Sequence, residues 1–159
     1  MIKSSRDDVL NLLSRPFRLD EQPRPVPATF RPQWRVALLL LLIDRCRSRQ
    51  ATWNQLHVLN WAVRTSGSRR QFLRLVQGEM SPGDVIVRFE PALDRCVDIA
   101  AGTRLAKWKD GRLLELTKAG QDCVDAIKET DALEGERAFL DAIGFQVSQV
   151  FVDSLMERR

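Results

Sequence analysis

Arg104-Leu105-Ala106-Lys107-Trp108-Lys109-Asp110-Gly111-Arg112-Leu113-Leu114-Glu115-Leu116 is the stretch from which the fold is read. Residues 104–108 and 112–116 have strand character, and Asp110-Gly111 between them supplies the positive φ angles that a tight hairpin turn demands. Thr117 follows as a helix N-cap, opening a helix to about Glu129. A second helix, begun by Pro91 and running to about Ala101, leads into the hairpin.

Further upstream the pattern is helical. Residues 34–49 form one helix, whose middle from Ala37 to Ile43 is apolar on every side, so it is expected at the centre of the core. Thr52-Trp53-Asn54-Gln55 is a capping-box pattern that opens a helix to about Arg64. Ser66-Gly67 reads as a break, and Ser68-Arg69-Arg70-Gln71 as a second capping box opening a helix to about Glu79. Ser81-Pro82-Gly83 is a turn, and Val85 to Phe89 is a short β-prone run.

The two ends differ from this middle. Residues 1–32 form an extended arm, because 15–32 hold five prolines, and Phe17, Leu19, Val26 and Phe30 are its apolar anchors. Residues 33–129 are the domain proper. Residues 130–159 are a helical interaction segment, two helices separated near Gly144 and unusually apolar.

Three helices followed by a β-hairpin is the winged helix-turn-helix plan. Leu116-Thr117-Lys118-Ala119-Gly120 resembles the leucine-threonine-any-any-glycine step at the wing exit of many winged-helix regulators. The expected fold is therefore mainly α, a winged helix with a small β-hairpin wing, an extended N-terminal arm and a C-terminal helical extension. A narrower resemblance rests on the apolar helix at 36–43, on Gln55-Leu56-His57-Val58-Leu59-Asn60-Trp61, and on Arg88-Phe89-Glu90-Pro91-Ala92-Leu93-Asp94-Arg95. These stretches look like the winged-helix middle component of ABC-three-component, Lamassu-type SMC-like antiphage systems, over roughly residues 34–129. That resemblance implies an accessory subunit bridging an SMC-like ATPase and an effector, usually a nuclease, in a DNA-sensing defence complex.

Charge and residue usage narrow the function classes. The net charge of +4 divides into +9 over residues 1–78 and −5 over 79–159, so the first half suits nucleic acid or an acidic partner surface. No secretory leader is read in the first residues, and the apolar run 36–43 is too short to cross a bilayer, so a cytoplasmic protein without membrane contact is expected. Three scattered cysteines (Cys46, Cys96, Cys123) and one histidine do not make a zinc site, and reduced buried thiols are the expectation. No phosphate loop or GxGxxG occurs, so no cofactor is expected and any ATP belongs to a partner.

Catalysis is not expected either. Asp110, Glu115 and Lys118 near the hairpin have nuclease-like residue types, but read as turn and helix-start residues. His57 has no evident nucleophile, and it shares a helix side with Trp53 and Trp61 as a packing stripe. The DNA-facing candidates are Arg69 (with Ser68) at the start of the 68–79 helix, Arg70, Arg74 and Gln77 along it as a recognition helix, and Lys107, Lys109 and Arg112 on the wing. The partner-facing candidates are Phe17, Leu19 and Phe30 in the arm and Phe139, Ile143, Phe145, Val147, Phe151, Val152 and Leu155 in the tail. The alternative function is a homodimeric winged-helix transcriptional regulator, which would use the tail to dimerise.

Overall fold

Helix α1 (Pro32–Arg45) is the centre around which the chain is wrapped, with Val36 and every residue from Leu38 to Ile43 buried. In the computed structural model, which describes Pro27 and residues 31–145 and 147–156, most of the other elements pack on it. The anchors Phe17, Leu19 and Phe30 of the arm lie outside the described residues. Pro32 sits in the first turn, where its missing N–H costs nothing. The helix ends four residues before the expected Arg49, and a 3-10 turn over Arg47–Arg49 leads into a strand, β1 (Gln50–Thr52).

Thr52 then caps α2 (Trp53–Arg64) through the expected reciprocal box: Gln55 N donates to Thr52 Oγ1 at 3.2 Å and Thr52 N to Gln55 Oε1 at 2.8 Å. The next box is displaced by three residues. Thr65 and Ser68 cap one another at 3.0 Å in both directions, so Ser66-Gly67 forms the first turn of α3 (Ser66–Val76) instead of a break. After it come a 3-10 turn at Pro82–Asp84 and an irregular segment. The β-prone run 85–89 forms no strand: it turns Val87 into the core and leaves Ile86 exposed.

Helix α4 (Pro91–Gly102) crosses α1 and runs into the hairpin, β2 (Ala106–Lys109) and β3 (Leu113–Leu116). Asp110 (φ 52°) and Gly111 (φ 65°) take the predicted left-handed turn positions. Strand β1 joins antiparallel to β3, giving a three-stranded sheet in the order β1-β3-β2, with Ala51 opposite Leu114 and Trp108 opposite Leu114 from the other side. Period-two alternation puts Ala51, Ala106, Leu114 and Leu116 on the buried face, and Lys107, Lys109 and Glu115 on the outer one.

Helix α5 (Lys118–Lys128) starts at the Leu-Thr-x-x-Gly step, whose chemistry is visible in full. Thr117 Oγ1 accepts from Gly120 N at 3.1 Å and donates to Arg104 O at 2.6 Å, tying the helix start to the hairpin entrance. Gly120 faces Leu105 so closely that a Cβ there would overlap the Leu105 carbonyl oxygen. Helices α6 (Glu134–Ile143) and α7 (Gln149–Met156) close the chain over α2 and α3, with Gly144 at φ 56° between them. The chain is thus mainly helical with a small antiparallel sheet, and no described helix is long and apolar enough to cross a membrane.

Candidate macromolecular interface

An aromatic ladder spans α2, the 85–89 segment and the hairpin. His57 is its middle rung. Phe89 stacks on the imidazole at 4.0 Å between centroids and 10° between planes, Trp53 meets it edge-on at 5.1 Å, and Trp108 lies 6.1 Å beyond Trp53. Trp53 and His57 of the stripe expected from α2 are therefore joined by two rings from distant parts of the sequence, while Trp61 is not part of this ladder and packs against the core instead. Both outer rungs reach solvent, Phe89 at 39% and Trp108 at 43% exposure, whereas His57 is 2% exposed.

The fold disfavours the charged form of His57. Burial lowers its pKa, outweighing the pull of Asp94 and Glu90 in the other direction. Its Nε2 lies 3.7 Å from Asp94 Oδ1, and its buried Nδ1 has no hydrogen-bond partner among the described residues. An imidazole between two rings, with a carboxylate at one edge, is arranged for packing.

Beside the ladder, Glu90 ties three elements together. Its carboxylate accepts from Arg35 at 2.8 Å and from Asn60 at 3.1 Å, with Arg64 at 3.8 Å, so α1, α2 and the N-terminus of α4 meet on one half-buried anion. Burial alone would push this carboxyl up, but the hydrogen bonds from Arg35 and Asn60 and the charges of Arg35 and Arg64 bring it below its usual range. A depressed folded-state pKa stabilises the fold above the ordinary carboxylate pKa, and that contribution is lost as pH falls through the lowered value. Glu90→Gln should lower stability at neutral pH and flatten the acid limb of the stability curve below about pH 4.5, read by urea unfolding across pH.

The candidate DNA-contacting arginines of α3 do not act together. Arg69 is turned inward: Nε donates to Val63 O at 2.9 Å, Nη2 bonds Glu136 at 3.1 Å, and the guanidinium lies 5.8 Å from the Phe139 ring centroid. Packing of α6 recruits it, which corrects the expectation of a phosphate contact, and Ser68 is equally committed to the Thr65 cap. Arg70 and Gln77 are exposed, and Arg74 forms an exposed pair with Glu79 at 3.7 Å. Helix α3 packs on α2 and α6, and the helix leading into the hairpin is α4. The outer side of α4 carries Asp94, Arg95, Asp98 and Ile99, all exposed.

On the hairpin, Lys107 is paired with Glu115 at 3.0 Å, while Lys109 and Arg112 are exposed and form no ion pair among the described residues. Asp110, Glu115 and Lys118 each have a separate task. Asp110 makes the turn, Glu115 also accepts from Gln50 at 2.9 Å, and Lys118 pairs with Asp122 at 2.7 Å.

In the tail, Phe139, Ile143, Val147, Val152 and Leu155 are buried in the chain's own core, and Phe151 packs edge-on against Phe72. The surplus apolar surface expected there is consumed by α2 and α3, which the sequence pattern does not reveal. Phe145 remains open at 69% exposure, flanked by Arg45 at 5.6 Å from its ring centroid. All three cysteines are free thiols, and burial pushes Cys46 up to about 12.

No protein family, curated protein or solved structure matches this chain.

Proposed function

We propose that this chain is a non-catalytic winged-helix subunit that works by holding other proteins, bridging an SMC-like or ABC-type ATPase and its effector in an antiphage complex. The element order supports the winged-helix part: α1, β1, α2 and α4 precede β2 and β3, with β1 added to the hairpin at the edge of β3. In that plan α3 and residues 77–90 are an insertion, and α4 holds the position from which a winged helix enters a DNA groove. The observation that carries the protein-binding reading is the outer face of α4. Asp94 and Asp98 outnumber Arg95 there and would meet DNA phosphates with like charge, and Ile99 (40% exposed) offers apolar contact instead. Ile86 at 75% and Phe145 at 69% add exposed apolar side chains of the kind that protein interfaces bury. The sequence likeness of residues 34–129 to the middle component supplies the identity of the partners.

Co-expression with an SMC-like ATPase and an effector from the same operon, where these are encoded, should give a stoichiometric complex by size exclusion with light scattering. Ile86→Asp with Ile99→Asp, or Phe145→Asp, should dissociate one partner and leave the helical circular dichroism unchanged. A chain that remains a free monomer with both candidates, and that binds duplex DNA tightly through α4, would replace this reading with that of a regulator.

A further inference from the structure

We propose that the tip of the hairpin holds a binding site for an unpaired base of a single-stranded nucleic acid. Trp53, Trp108, Asn54, Arg112 and Gln149 line one open groove between the hairpin, the start of α2 and the start of α7. Its chemistry is that of a base-stacking site. The two indoles are tilted by 34° at 6.1 Å, so they do not cover one another, and Trp108 keeps 43% of its surface in solvent. A large aromatic ring left half open beside a second one is a ready stacking face for a planar ligand.

Three features select a nucleobase over other planar groups. Asn54 and Gln149 each carry an amide donor and acceptor, the complement of a base edge. Among the described residues, Arg112 is the charged residue of the lining and no carboxylate lines the groove. The hairpin as a whole carries Lys107, Lys109 and Arg112 against Asp110 and Glu115, a small net positive charge that would draw a phosphate, with Arg112 in the groove and the two lysines on the face opposite Trp108. The rest of the ladder gives rigidity: Trp53 rests edge-on against His57, and Phe89 stacks behind the imidazole. A ring fixed in this way loses little freedom when a ligand binds. Bases inside a duplex are already stacked on their neighbours, so the groove selects a strand with unpaired bases.

This groove is lined by residues of the hairpin, α2 and α7 and by none of the α4 face offered to protein partners, and its test has a separate readout. The full chain is titrated into fluorescein-labelled oligo-dT and oligo-U of about twenty nucleotides, and into a blunt duplex of the same length, by anisotropy and tryptophan quenching. Single strands should bind at least about ten-fold more tightly than the duplex, and Trp108→Ala should lose about ten-fold or more of that affinity. Arg112→Gln should weaken binding and reduce the dependence on salt between about 50 and about 200 mM. Asn54→Ala, a change at a half-buried position that leaves both rings in place, should weaken binding with little change in thermal stability. Equal binding of single strand and duplex, or single-strand binding unchanged in Trp108→Ala and Arg112→Gln, would overturn the proposal. So would a Trp108→Ala variant that loses a protein partner while still binding oligonucleotides normally, because the groove would then be a protein contact.

Discussion

Gly120→Ala is expected to cost about 3 kcal/mol or more, lowering the melting temperature by roughly 10 °C for a chain of this size. The cause is a single methyl group with nowhere to go. Its carbon would overlap the Leu105 carbonyl oxygen, which is fixed because it accepts from Thr117 N at 3.1 Å. Relief requires α5 to move away from the hairpin entrance, breaking the Thr117 cap as it does so. Ala119, one residue earlier and exposed, is the control position: Ala119→Ser should leave the melting temperature within about 2 °C. Differential scanning calorimetry of the three proteins separates the outcomes, and a Gly120→Ala protein as stable as wild type would mean that the helix start is not seated as described.

Phe72→Ala should be similarly damaging, at about 3–5 kcal/mol. Phe72 is fully buried, and two rings from the tail stand edge-on against it, Phe139 at 6.1 Å and Phe151 at 5.8 Å. Removing the central ring leaves a cavity that α3, α6 and α7 share, so the loss is concentrated where the tail docks. Hydrogen exchange should therefore quicken across residues 134–156 well beyond the change in the hairpin. Phe151→Asp should produce the same regional loosening, since it puts a charge beside Phe72, and loss of a partner through that variant would report misfolding. Uniform loss of protection over the whole chain would show that the tail and the domain unfold as one unit.

The hairpin was legible because its signals are local: a Gly after an Asp, alternating residues on either side, and a Thr to start the next helix. The buried centre of α1 was legible for a similar reason, since leucines on every side leave no face for water. Strand β1 was not. It has three residues, only Ala51 buried, and its partner strand lies more than sixty residues away, so nothing nearby marks it. The start of α3 was misplaced because Thr65 and Ser68 are both competent caps, and the box that forms is decided by packing of α3 on its neighbours. Much the same holds for the interface. Trp53 and His57 announce a stripe four residues apart, but Phe89 and Trp108 join it only through the tertiary fold. The apolar content of the tail was plain; which surface would absorb it was not, because α2 and α3 show their receiving faces only when folded.

That docking also sets an order of assembly. Gln55 donates to the Val147 carbonyl across a separation of 92 residues, and Phe72 waits for Phe139 and Phe151. During synthesis α2 and α3 leave the ribosome with these receptors empty, and the residues that fill them are made long afterwards. Contacts this distant along the chain slow the final step, because the loop must close before any of them contributes. The nascent chain therefore passes through a stage in which a competent hairpin and central helix coexist with an uncovered aromatic socket. A chaperone, or an early-arriving partner chain, has its natural point of engagement there.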